Sequence, residues 1–99
     1  MELGLTNRVA IVTGGSEGIG KAAAISLARE GANVTILART QSKLESALQE
    51  IRSTAVGEVE SISCDVTDQS AVNKTFGHIL QQWGKVDILV NNAGSGNAN

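Results

Sequence analysis

The chain reads as an α/β protein built on a parallel sheet, and three observations carry that expectation. Short β-branched runs alternate with longer segments of helical period, the pattern of successive strand–helix–strand units. A glycine-rich stretch stands between the first such run and the first helical segment. The composition, 41% hydrophobic and 18% charged with no proline, is that of an ordinary globular domain.

Taken in order, Arg8–Thr13 (RVAIVT) is expected as a buried first strand. Gly18–Glu30 follows as a helix, with Ile19, Ala23 and Leu27 at i, i+4 and i+8 and with alanines that let it lie close to a sheet. Gly31 stands where a glycine closes a helix. Asn33–Ala38 is the second strand. Ser42, with Glu45 three residues later, suggests a capping box for a second helix whose apolar stripe is Leu44, Leu48 and Ile51. Glu58–Cys64 is the third strand. Asp68 then caps a third helix with Val72, Phe76, Ile79, Leu80 and Trp83 on one face. Val86–Val90 (VDILV) is the fourth strand. Right-handed crossovers give the strand order 3-2-1-4, a Rossmann-like sheet with the first two helices on one face and the third on the other.

Composition also excludes. A net charge of −2 argues against a nucleic-acid surface, which would carry a basic stripe. No apolar run approaches the roughly 20 residues of a membrane span, and residues 1–7 lack the progression of a secretory signal. Cys64, the one cysteine, has no disulfide partner and no clustered ligands for a metal, so no metal site is expected and a cytoplasmic location is.

Thr13-Gly14-Gly15-Ser16-Glu17-Gly18-Ile19-Gly20 lies between the first strand and the first helix. Glycines there permit positive φ and close backbone approach, while a helix start offers unpaired N–H groups and partial positive charge to a pyrophosphate. A plain tight turn is the alternative; the placement after a strand, before a helix and in the first βαβ unit favours the phosphate site. Gly15–Lys21 also nearly spells the nucleotide loop G-x-x-x-x-G-K. Ala22, however, stands where a Ser or Thr would hold magnesium, which argues against nucleoside-triphosphate hydrolysis.

With this motif, the Asp65-Val66 segment after the third strand and Asn91-Asn92-Ala93-Gly94 after the fourth, the sequence resembles the short-chain dehydrogenase/reductase family, whose glycine pattern is T-G-x-x-x-G-x-G. The NRVAIVTGGS start and the CDVTD segment are most similar to reductases of 3-oxoacyl thioesters. The resemblance implies that Gly14, Gly18, Ile19 and Gly20 shape a pyrophosphate site. It implies that Asp65 and Val66 hold an adenine, and that Asn91, Ala93 and Gly94 line the ribose and nicotinamide end, with Asn92 tying strands together. A strand-end turn at Asp65 and an ordinary Asn/Gly loop at 91–94 are the bland alternatives.

Dinucleotide choice is set near the end of the second strand, where an acidic residue would accept from the ribose 2′-hydroxyl of NAD. Ala38 occupies that position and Arg39 follows it. A guanidinium is a planar, permanently charged fork for a 2′-phosphate, and Ser16 is placed to add a hydroxyl, so NADP(H) is expected over NAD(H). Against this stand Glu17, where NADP-preferring relatives often carry a cation, and the alternative that Arg39 is merely solvated.

The family's chemistry uses a Tyr-x-x-x-Lys pair with a preceding Ser, and the chain has no tyrosine. Proton donation demands hydrogen-bond distance, so no catalytic residue is expected here. His78 falls off the third helix's apolar stripe and reads as a surface residue; Cys64 reads as packing. Residues 1–99 are thus expected to be the N-terminal dinucleotide-binding part of a Rossmann domain, truncated after the fourth strand. The complete protein would interconvert a carbonyl and an alcohol and form a homo-oligomer through later helices. The alternatives are a non-catalytic nucleotide-binding module and an inert fragment. An open fourth-strand edge further suggests that these residues alone would associate or melt broadly.

Overall fold

The structure, a computed structural model, describes residues 4–92. Its elements are β1 (Val9–Thr13), α1 (Gly18–Arg29), β2 (Asn33–Ala38), α2 (Gln41–Arg52), β3 (Val59–Ser63), α3 (Gln69–Trp83) and β4 (Ile88–Asn91). All strand pairs are parallel and the order is β3-β2-β1-β4, as the alternation and crossover rules require.

The sheet separates two cores by side-chain parity. Ala10, Val12, Val34, Ile36 and Val59 point to the face covered by α1 and α2, where Ala24, Ala28, Leu44, Ala47 and Ile51 meet them. Val9, Ile11 and Leu37 point to the opposite face and pack with Ile79 of α3 and with Cys64. A strand covered on both faces favours apolar residues in succession, which is why VAIV is an unbroken apolar run, closed by the buried and hydrogen-bonded Thr13.

Three helix expectations are corrected. The buried row of α1 is Gly20, Ala24 and Ala28 rather than Ile19, Ala23 and Leu27, and Ile19 is 78% exposed. Close contact between a helix and a sheet selects the smallest residues for the contact line, so Ile25 and Leu27 pack from the flanks. The capping box at Ser42 does not form. The helix begins two residues earlier, with Thr40 as N-cap and no side-chain cap bond, and Glu45 instead accepts from Gln41 Nε2 at 3.3 Å. On α3, Leu80 leaves the apolar face: it follows Ile79 by about 100° of rotation and stands exposed. Val72, Phe76 and Trp83 do pack on that face, as expected.

The Asp68 cap is present, its carboxylate accepting from Ser70 N and Ala71 N at 3.0 and 3.3 Å. Gly31 follows α1 with φ 104°, as a closing glycine should.

Strand limits shift by a residue or two. β4 begins at Ile88 rather than Val86 because its entry is held by side chain as well as backbone. Val9 N donates to Asp87 Oδ2 at 2.9 Å, and Asp87 N donates to Val9 O at 2.8 Å. β4 forms one sheet edge among the described residues, and Leu89 on it is 52% exposed.

Candidate functional site

β1, β2 and β3 all end on the same side of the sheet, and a cleft of about 660 Å³ opens there. This is where parallel α/β sheets place their ligands, because chain reversal leaves a crevice beyond the strands' carboxyl ends. The volume falls within the roughly 300–1,000 Å³ typical of ligand pockets.

The glycine turn forms one wall. Gly14 N and Gly15 N both donate to Leu37 O, at 2.8 and 3.3 Å, which pins the turn over the end of β2. Gly14 (φ 67°) and Gly18 (φ 59°) occupy left-handed backbone that other residues rarely adopt. A Cβ at Gly20 would run into the Gly14 carbonyl oxygen, so only glycine lets α1 start this close to the turn. Helix geometry leaves the N–H groups of Gly18, Ile19 and Gly20 without acceptors inside α1, since the first turn-closing bond is Lys21 N to Glu17 O. Glu17, the N-cap residue, makes no side-chain cap bond, and the helix start stays open to an anion.

Gly14, Ser16, Gly18 and Ile19 line the cleft. Gly20 is buried behind the turn, where it shapes the cleft without bordering it. Lys21, the residue that suggested a nucleotide loop, points elsewhere and pairs with Glu50 of α2 at 3.0 Å.

The second wall is the end of β2 and the start of α2. Ala38, Arg39, Thr40 and Lys43 border the cleft. Ser63 Oγ donates to Arg39 O at 3.1 Å and fixes that residue's backbone. The exposed guanidinium makes no ion pair among the described residues. Thr40 and Lys43 were not singled out from the sequence; what could have found Lys43 is its place in the first turn of the helix that opens at the cleft.

Asp65, Val66 and Thr67 form the third wall with buried Cys64. Thr67 donates twice to Asp65 Oδ1, from its hydroxyl at 2.7 Å and its backbone N–H at 2.9 Å. These bonds, hydroxyl first, hold the Asp65 carboxyl below the usual aspartate range, and the Arg39 guanidinium adds to the effect. The turn alternative at Asp65 is therefore real, yet it leaves the carboxylate's other oxygen without a bond among the described residues.

At the end of β4 the two asparagines divide differently from the expectation. Thr13 Oγ1 donates toward Asn91 Oδ1 (3.1 Å) and Val90 O (3.3 Å) and accepts from Asn92 N (2.9 Å). The Asn91 side chain thus ties β4 to β1, while Asn92 is the one that borders the cleft. Parity explains it: Asn91 is paired with Thr13 in the ladder and shares its face, and the next residue leaves the sheet. Ala93 and Gly94 lie outside the described residues.

Among the described residues no group of three or more His, Cys, Asp or Glu side chains is placed to hold a metal, and no helix is long and apolar enough to cross a membrane. The cleft instead joins an anion-binding helix start, a guanidinium without an ion pair and a carboxylate, which is a donor and acceptor set for a phosphorylated nucleotide.

Known proteins resemble this chain in sequence and fold. The family model for short chain dehydrogenases matches residues 8–99. A probable 2,4-dienoyl-CoA reductase of Caenorhabditis elegans is 48% identical over 90 residues, covering 90% of this chain and 29% of that protein. L-sorbose reductase of Gluconobacter frateurii, solved with NADPH and L-sorbose, superposes with a TM-score of 0.89 at 34% identity over 100% of this chain and 38% of its own. A xylitol dehydrogenase bound to NAD+ superposes with a TM-score of 0.88 at 37% identity, over 96% of this chain and 36% of its own. The chain thus spans about a third of the length of these relatives. With its glycine turn, its parallel order and a family match over nearly every residue, the chain belongs to the short-chain dehydrogenase/reductase family.

Proposed function

We propose that these residues hold the dinucleotide of an oxidoreductase that interconverts a carbonyl and an alcohol, with NADP(H) preferred over NAD(H). The observation that carries the proposal is the joining of two features in one cleft: an open helix start behind a glycine turn, and Arg39 on the rim, whose guanidinium makes no ion pair among the described residues. Structures of family members with either dinucleotide resemble this chain equally well, so family membership supports a nicotinamide dinucleotide, and the rim residues support the choice between the two forms.

In this proposal Gly18 and Ile19 receive the pyrophosphate through backbone N–H groups, while Gly14 and Gly20 make room for it by the side chains they lack. Arg39 and Ser16 receive the 2′-phosphate. Asp65 accepts from the adenine amino group through the oxygen that Thr67 leaves open, and Val66 packs on the ring. Asn91 acts through Thr13 to position the segment after β4, where Ala93 and Gly94 line the ribose and nicotinamide end. The nicotinamide, when bound, supplies or accepts the hydride. No residue among the 99 is assigned proton delivery: there is no tyrosine, and His78 is exposed on α3. These residues alone are therefore proposed to bind without turnover. The sequence's likeness to reductases of 3-oxoacyl thioesters puts a thioester-linked carbonyl first among substrates to try.

Fluorescence titration with NADPH and NADH tests the cofactor assignment. Arg39→Ala should weaken NADPH by about tenfold or more, the scale of one charge-assisted hydrogen bond, and leave NADH nearly unchanged. Equal losses for the two would overturn it.

A further inference from the structure

The charged side chains around the cleft are Glu17, Arg39, Lys43 and Asp65. Asp65 is occupied by Thr67 and sits within the field of Arg39. That leaves Glu17 and Lys43, which face each other across the mouth: Lys43 Nζ is 3.5 Å from Glu17 Oε1, and the two side chains are 56% and 68% exposed. Lys43 puts a cation in the first turn of α2, the end where the helix dipole disfavours positive charge, and the Glu17 carboxylate makes no cap bond at the start of α1. An exposed pair of this kind contributes little to stability, so folding does not account for it.

We propose that Lys43 is a second cation for the 2′-phosphate, and that Glu17 competes with that phosphate for it. The inference rests on the cleft's reading as a dinucleotide site and deepens it. Lys43 and Arg39 border the same cleft, Arg39 just before α2 and Lys43 in its first turn. A phosphate monoester carries close to two negative charges at neutral pH, and a single guanidinium leaves part of that charge unmatched. The flexible lysine stem lets the ammonium exchange one oxygen anion for another at small cost, because both positions are wet. With NAD(H) there is no competing phosphate, and the Glu17–Lys43 bridge persists. Glu17 thereby moderates the preference for NADP(H) that Arg39 creates.

The experiment is equilibrium binding of NADPH, NADH, adenosine 2′,5′-bisphosphate and 5′-AMP to the full chain and its variants. Lys43→Gln should weaken NADPH and the bisphosphate about three- to tenfold while NADH and AMP change less than about twofold. Lys43→Arg should retain the preference. Glu17→Gln should tighten NADPH about two- to fivefold, with a smaller gain when Lys43 is already Gln. Both positions are exposed, so the variants should fold as the parent does. If Lys43→Gln shifts all four ligands equally, or none, the assignment of Lys43 fails while the dinucleotide site stands. If the parent chain binds neither dinucleotide, the site itself fails and the role of Lys43 with it.

Discussion

A tight constraint at the scale of single residues is the meeting of Gly20 with the Gly14 carbonyl. Alanine normally improves a helix by up to about 1 kcal/mol over glycine, but here the added carbon meets backbone oxygen, and backbone cannot rotate aside as a flexible side chain can. The collision should win. Gly20→Ala is expected to cost about 1–3 kcal/mol in urea unfolding and to abolish dinucleotide binding. A variant that keeps both stability and binding would show that the turn has room to spare. Asp65 makes a different residue-level point, since its short turn with Thr67 and its place on the cleft wall coexist in one carboxylate.

Elements obey local chemistry where nothing contradicts it. The Asp68 cap and the αL glycine at Gly84 (φ 83°) bound α3 as short-range rules require. Within that helix Gly77 is exposed, and a Cβ there would meet nothing within 4 Å. Gly77→Ala should therefore raise stability by about 0.5–1 kcal/mol, seen as a higher melting temperature with unchanged cofactor affinity. It is the counterpart of the Gly20 substitution: the same chemical change with opposite sign, decided by what surrounds the added carbon. Edges are managed at this scale too. Arg52 donates from Nε and Nη2 to the carbonyl of Val59, the first residue of edge strand β3, at 3.2 and 2.8 Å.

Across the whole molecule, β1 is joined to β4 at both ends, by Asp87 where the strands enter and by Thr13 where they leave. The Asp87 carboxyl is held below its ordinary 3.8 by the Val9 N–H first, and then by Lys85 and Arg8. An aspartate whose pKa is depressed by folding stabilises the fold above its unfolded pKa, and the contribution is lost as pH falls through the folded value. Asp65 acts in the same direction. Stability should therefore be flat near neutrality and decline below about pH 4, with Asp87→Asn lowering the neutral plateau and flattening the acid limb. An acid limb identical in the variant would assign the decline to other carboxylates.

The order of elements, the parallel sheet, the place of the glycine turn and the family were all legible in the amino-acid sequence, because each depends on short-range spacing: apolar runs of strand length, helical periods and motifs at strand ends. Gly14, Ser16, Gly18, Ile19, Arg39, Asp65 and Val66, which border the cleft, were legible for the same reason. Packing in three dimensions chose which row of α1 touches the sheet, since helical periodicity marks a face but not the distance of closest approach, and that distance selects Gly20, Ala24 and Ala28 over larger neighbours. Packing likewise chose which of Asn91 and Asn92 reaches the cleft, and brought Lys43 to Glu17 there across 26 residues of sequence. Contacts of that separation depend on how helices pack on a sheet, and no local pattern of residues carries that information.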